Sequence, residues 1–276
     1  MAAMKEALRR HPTLVKFKDG RIERRGKVAL AQNFSVQWCE GESIHPIESD
    51  AEVIVFTFAE ATVVAVDGEV EIPANAVAIL PPGRHVLQIA GRGDVVVLAT
   101  DRKDVSRDAA VNRSEVVLDD RVAPIGRPFI RRGAMNKVLV YEMDALTAPS
   151  GANQRLKILQ SSTMSVNYVE YSGARSRDAL SPHSHSSFEQ ATLAVKGRYI
   201  HHLREEWGAN ADLWRDDVHM EVDEATLLII PPLVIHTTEG VGAGKHILID
   251  IFAPPRRDFI AKGWVINAGD YLDPEK

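Results

Sequence analysis

The stretch Ser181-Pro-His-Ser-His-Ser-Ser-Phe-Glu-Gln-Ala-Thr-Leu-Ala-Val-Lys-Gly197, answered by Ile230-Pro-Pro-Leu-Val-Ile-His236, decides how this chain is read. His183 and His185 stand at i and i+2, so on an extended backbone both side chains leave the same side. An oxygen ligand a few residues later can join them. His236 is distant in sequence and must arrive on another strand. Three neutral imidazoles with one oxygen ligand make a site for a first-row transition metal. No other chemistry competes for attention: the chain has one Cys, no Gly-rich phosphate loop and no nucleophile elbow.

The oxygen ligand is Glu189 or Gln190. These are neighbours on one strand, so only one of them faces a barrel interior. Spacing from the turn residue Gly197 favours Gln190. Anionic oxygen binds a cation better, which favours Glu189. The choice matters because three His and a Gln leave the ion its full dipositive charge, which suits gripping a carboxylate, an enolate or vicinal oxygens.

Outside this region the sequence repeats itself. Phe34-Ser-Val-Gln-Trp-Cys-Glu40 matches Met164-Ser-Val-Asn-Tyr-Val-Glu170. Ala76-Val-Ala-Ile-Leu-Pro-Pro82 matches Ala225-Thr-Leu-Leu-Ile-Ile-Pro-Pro232, with one residue of slack. Glu60-Ala-Thr-Val-Val-Ala-Val-Asp-Gly68 is aligned with Glu189-Gln-Ala-Thr-Leu-Ala-Val-Lys-Gly197. Three matches in the same order imply a tandem duplication rather than a solenoid. On this alignment the counterparts of His183, His185, Gln190 and His236 are Ile54, Phe56, Ala61 and Val86, all apolar. His85 falls one residue out of register and, with His45, reads as a surface or turn residue. The first copy is therefore expected to hold no metal.

Each copy reads as all-β. Val53-Ile-Val-Phe-Thr-Phe58, Val95-Val-Val-Leu-Ala99 and His246-Ile-Leu-Ile-Asp-Ile-Phe252 are short and rich in β-branched residues. Glycine and proline punctuate them, which points to a sandwich or barrel. Helix is expected only at 2–10 and in turns near 101–109 and 255–261. Domains are assigned as a leader (1–27), a metal-free barrel (28–118), a connection carrying the first strand of the second barrel (119–150, with Lys137–Glu142 as that strand), and a metal-binding barrel (151–276). Residues 203–217, with Trp207 and Trp214, have no counterpart in the first half. They are a lid, a partner-binding flap or a tolerated surface loop.

The 276 residues and 45% hydrophobic content allow a sizeable core. The longest apolar runs are strand-sized, so no membrane span is expected. The basic leader lacks the apolar segment of a secretion signal. The single Cys39 fits a reducing compartment, and a cytoplasmic location is expected. A net charge of −5 gives no electrostatic reason to expect nucleic acid. A homodimer is left open.

These motifs resemble those of the cupins. His183-x-His185-x4-Gln190-x6-Gly197 fits the core of the first cupin motif. Pro231-x-Leu233-x-x-His236 fits the second, with Leu233 in place of Gly. The opening Gly of the first motif has no well-spaced counterpart. The whole chain resembles a bicupin, which implies two tandem double-stranded β-helix barrels. The second half is most similar to cupins that open unsaturated uronate rings. That resemblance implies Asp250 as a proton-transfer group and Arg256 as a carboxylate contact, in Asp250-Ile-Phe-Ala-Pro-Pro-Arg256. An Asp amid Ile247, Leu248, Ile249 and Ile251 needs a purpose, although a strand-end salt bridge to Arg256 or Arg257 is the plainer one. His201, His202, His219 and His246 read as surface or supporting residues.

The expectation is one divalent transition ion per chain (Fe, Mn, Ni, Co or Zn) and a small-molecule substrate. Lewis-acid chemistry on a carbohydrate-like or oxo-acid compound leads. An Fe(II) dioxygenase and a non-catalytic ligand-binding bicupin are the alternatives.

Overall fold

The computed structural model describes residues 11–18, 26–65 and 68–276. The expected helix at 2–10 lies outside them. In chain order the first strands are β1 Thr13–Lys16, β2 Lys27–Leu30, β3 Ser35–Glu40, β4 Ser43–Ser49, β5 Val53–Thr57, β6 Ala61–Ala65, β7 Gly68–Ile72, β8 Ala76–Leu80, β9 Gly83–Ile89 and β10 Asp94–Ala99. Two strands, β11 Ile130–Arg131 and β12 Leu139–Glu142, lie in the connection. Then come β13 Leu156–Gln160, β14 Ser165–Ser172, β15 Gln190–Lys196, β16 Arg198–Arg204, β17 Val218–Val222, β18 Thr226–Ile230, β19 Ile235–Val241, β20 Lys245–Phe252 and β21 Tyr271–Leu272. The single described α-helix, α1, is Arg257–Ala261.

Each barrel joins a six-stranded sheet to a smaller one. The first pairs β12-β8-β5-β10-β3-β2 with β4-β9-β6-β7, and the second pairs β1-β18-β15-β20-β14-β13 with β17-β16-β19. The two six-stranded sheets lie back to back. Between them sits the largest apolar cluster, which mixes Trp38, Phe56 and Leu98 of one sheet with Tyr168, Leu193 and Ile249 of the other. Strands such as β5 and β18 are buried on both faces, one against the sister sheet and one inside their own barrel. That is why they read as unbroken apolar runs rather than alternating ones. Each fully buried large side chain in this layer contributes about 1.5–3 kcal/mol.

Two boundary expectations are corrected. The strand at 139–142 does not open the second barrel: it pairs antiparallel with β8, Leu139 opposite Ile79 and Glu142 opposite Ala76. The leader segment 13–16 instead pairs with β18, Thr13 opposite Ile229 and Lys16 opposite Thr226. Because β8 and β18 are equivalent strands, the two barrels exchange their outermost strands.

The ladders also correct the internal alignment. Val53 faces Leu80 at the end of β8, and Gln190 faces Ile230 at the end of β18. Gln190 therefore corresponds to Val53 and Glu189 to Glu52. Glu60 precedes β6, in the smaller sheet, and is not the partner of Glu189. The two true partners do the same job. Glu189 Oε2 accepts a 2.7 Å bond from the Gln32 amide in the β2–β3 turn. Glu52 Oε2 accepts a 2.7 Å bond from the Ser162 amide in the β13–β14 turn. Each barrel thus places a buried carboxylate on a turn of the other.

Candidate metal centre

The second barrel brings its predicted ligands to one point. β19 carries His236 inward, and the segment before β15 runs beside β19, with His183 and His236 exchanging backbone bonds of 3.1 and 2.8 Å. Leu233, at φ 73°, turns the chain so that its amide donates to His185 O at 2.7 Å. That left-handed residue occupies the place where the cupin pattern has Gly. Ligand atoms of His183, His185 and His236 all lie within 4.8 Å of one another, and this is the one such group among the described residues.

Gln190 completes the set. Its Oε1 lies 2.9 Å from His185 Nε2 and 3.2 Å from His236 Nε2. Its Nε2 donates to Thr192 Oγ1 at 2.9 Å and to Asp250 Oδ1 at 3.2 Å, which fixes the amide's orientation. Glu189 points the other way, to the Gln32 amide of the inter-barrel contact. Of the two alternatives, only Gln190 faces the three imidazoles.

The donor set fits a divalent ion. Burial lowers the pKa of His185 and of His236 to about 4, so both rings are neutral. A neutral imidazole has a single N–H. Yet His236 Nδ1 faces Val234 O at 2.9 Å while its Nε2 faces Gln190 Oε1. With the proton on Nδ1, two lone pairs oppose each other across the remaining contact, and a cation between them relieves that. His183 likewise bonds Ser181 O through Nδ1 at 2.9 Å, leaving Nε2 for a metal.

The site opens into a cavity of about 910 Å³. Asp250, on β20, presents its side chain there. Its Oδ1 accepts from Thr192 Oγ1 at 2.7 Å and from Gln190 Nε2, and burial pushes its pKa up to about 6. Among the described residues it forms no ion pair, so the plainer salt-bridge reading is not what the structure contains. Arg256 pairs with Asp258 instead, through bonds of 2.8 and 2.7 Å. Its guanidinium lies 3.9 Å from the Phe259 ring centre and 5.0 Å from those of Phe188 and Phe252. It belongs to the cavity wall.

Sequence reasoning missed three cavity residues. Asn167 is buried on β14, opposite Asp250, with its Oδ1 unpaired. Arg155 and Arg175 line the same cavity and have no carboxylate partner among the described residues. Arg175 is held by Thr238 O and Ser181 Oγ, both at 3.0 Å. Arginines in loops carry no periodic signal. Asn167 was already visible as the partner of Gln37 in the first repeat. No residue of 203–217 lines this cavity. Trp207 and Trp214 stack on each other at 4.5 Å instead.

The first barrel shows what the site replaced. Its ladders place Ile47, Ser49, Val53 and His85 at the positions of His183, His185, Gln190 and His236. His85 is thus in register after all, buried, with Nε2 2.7 Å from Pro81 O. Val55 and Val97 stand where the second barrel has Thr192 and Asp250. Ile47, Val53, Val55 and Val97 belong to the apolar core of the first barrel, while Ser49 and His85 are buried polar residues beside it.

No family model and no curated protein matches the chain. Solved structures do. AerE from Microcystis aeruginosa superposes at a TM-score of 0.53 with 11% identity, over 88% of this chain and 96% of that one. A Bacillus subtilis oxalate decarboxylase mutant reaches 0.58 with 13% identity, over 87% and 77%. The Lactobacillus farciminis oxalate decarboxylase in its formate complex reaches 0.55 with 12% identity, over 88% and 86%. The fold is a bicupin. At these identities the likeness speaks for fold alone. No helix of the described residues is long and apolar enough to cross a membrane.

The ligand choice has a two-sided test. Gln190→Ala should weaken metal retention and leave thermal stability of the stripped protein nearly intact. Glu189→Ala should keep the metal and cost about 1–3 kcal/mol by stripping the half-buried Gln32 amide of its acceptor. Elemental analysis beside denaturant unfolding reads both. The reverse order would assign the ligand to Glu189.

Proposed function

We propose that this bicupin is a metal-dependent enzyme acting on a small anionic carbohydrate-like or oxo-acid substrate. One divalent ion would be held by His183, His185, Gln190 and His236, with Asp250 as the proton-transfer group. The observation that carries this is the convergence of three histidines, Gln190 and one carboxylate of raised pKa on a single cavity, where the sister barrel has apolar residues in place of Gln190, Thr192 and Asp250.

Bound there, a divalent ion supplies Lewis-acid polarisation of a substrate oxygen. The chain's own residues supply the rest. Thr192 and Gln190 hold Asp250 Oδ1, and Oδ2 makes no hydrogen bond among the described residues, leaving it to take or return a proton. A pKa near 6 suits a group that must do both near neutrality. Arg155 and Arg175 give the cavity uncompensated positive charge, which supports an anionic substrate. Asn167 offers an unpaired oxygen to a substrate hydroxyl. Arg256, braced by Asp258 and three Phe rings, is the proposed carboxylate contact.

The solved neighbours include oxalate decarboxylases, but a cavity of about 910 Å³ favours something larger than a two-carbon dianion. Such a volume lies toward the upper end of small-molecule sites, roughly 300–1,000 Å³. The resemblance to uronate ring-opening cupins supports unsaturated uronates as the first compounds to try. Metal-loaded protein should consume one of a panel of unsaturated uronates and oxo-acids with no oxygen uptake at an electrode. Oxygen consumption coupled to substrate loss would transfer the protein to the Fe(II) dioxygenases. Binding without turnover across the panel would make it a ligand-holding bicupin.

A further inference from the structure

A pair of histidines backed by a carboxylate lies on the outer face of the three-stranded sheet, away from the cavity. His202 on β16 stands directly opposite His219 on β17. Their Nδ1 atoms are 2.8 Å apart. On the other side of His202, Nε2 lies 3.0 Å from Glu239 Oε2. Glu239 is only 4% exposed, and Arg177 Nε approaches its other oxygen at 3.5 Å.

The buried carboxylate sets the tautomer of His202. It accepts only, so Nε2 must carry the proton, and the Nδ1 lone pair is turned toward His219. A carboxylate behind a histidine is the arrangement that orients imidazoles toward metals and raises their basicity. We propose that His202 and His219 form a second, weaker site for a divalent transition ion, with Glu239 orienting His202 and water completing the coordination. With His219 protonated on Nε2, both Nδ1 lone pairs face one point. Neighbouring ligands of an ion with bonds of about 2.1 Å stand roughly 3 Å apart in six-coordinate geometry and about 3.4 Å apart in the tetrahedral geometry usual for zinc, so a small opening of the pair admits the ion.

The cluster is specific to this repeat. The ladders of the first barrel place Val64, Glu69 and Gln88 at the positions of His202, His219 and Glu239. A shared requirement of the sheet's outer face therefore does not explain the two histidines. Their placement gives the site a use. The 203–217 insertion leaves the sheet just after His202 and returns just before His219. An ion held by both clips the neck of that loop, where closing a long segment stabilises most. The stacked Trp207 and Trp214 lie on the loop so clipped.

The test is calorimetric titration of metal-stripped full-length protein with Zn²⁺. Two steps per chain are expected, a tight one from the cavity site and a weaker one from the sheet face. His219→Ala should remove the weaker step alone. His183→Ala/His185→Ala should remove the tight step alone, so failure of one assignment is separable from failure of the other. Glu239→Gln, which keeps shape and polarity, should weaken the second step by about 10–100-fold. A single step in the unaltered protein, or a weak step that persists in His219→Ala, overturns the proposal. His219 is exposed and outside every apolar cluster, so its loss leaves the fold to report.

Discussion

Replacing His183 and His185 together with alanine is expected to empty the cavity site, from one tightly held ion per chain to almost none. Two of the four proposed donors disappear. Losing even a supporting partner of a metal ligand typically costs about 10–100-fold in affinity, so losing two ligands must cost more. The fold should survive. His183 is exposed, His185 is half-buried, and neither belongs to a buried apolar cluster. The first barrel folds with Ile47 and Ser49 at the same two places. Elemental analysis after dialysis against a mild chelator gives the ion content, and circular dichroism gives the fold. Thermal melts add a third reading. Saturating metal should raise the melting temperature of the parent, since a ligand at 1,000 times its Kd contributes about 4 kcal/mol to the native state. The variant should lose that response. Full retention of the tight ion would sink the ligand assignment.

The grouping of the three histidines is more legible in the sequence than the architecture around them. His183, His185 and His236 were found because imidazoles at i and i+2 on a strand have few other reasons to recur beside a third. Spacing from Gly197 puts Gln190 ahead of Glu189, and the inter-barrel contact turns Glu189 away from the imidazoles. Glu189 is committed to the Gln32 amide of the neighbouring barrel, a partner 157 residues away. The misalignment of Glu60 with Glu189 has a similar cause. Both β5 and β6 follow a glutamate and carry apolar residues, so local pattern cannot tell Glu52 from Glu60. Hydrogen-bonded ladders can. The same slip moved His85 off its true position. The exchanged strands were unreadable for a different reason. The sequences at 13–16 and 139–142 ask for a sheet edge, and two equivalent edges, β8 and β18, answer equally well. Which one is taken is settled by chain path and by the apolar layer between the sheets. Local propensity does not enter that choice.

Asp250→Asn is expected to lower turnover by about 10²–10⁴-fold, the usual contribution of a general acid–base group, with metal content unchanged. The substitution is mild on geometric grounds. Asn keeps an Oδ1 that accepts from both Thr192 and Gln190, so the amide of Gln190 stays turned with its oxygen toward the imidazoles. What is lost is a group able to exchange a proton near neutrality. The repeat makes the same point from the other side: Val97 occupies this place in the first barrel, so packing alone would be served by hydrocarbon. A half-buried carboxylate there must be maintained by something else. Arg256→Ala should behave differently. A carboxylate contact made both before and during reaction chiefly raises KM and leaves kcat close to its parent value. The contrast separates roles that a general loss of activity would blur. If Asp250→Asn turns over normally while holding its metal, proton transfer belongs to another group in the cavity. If it loses the ion as well, Asp250 acts by orienting Gln190, and the catalytic assignment fails in favour of a positioning one.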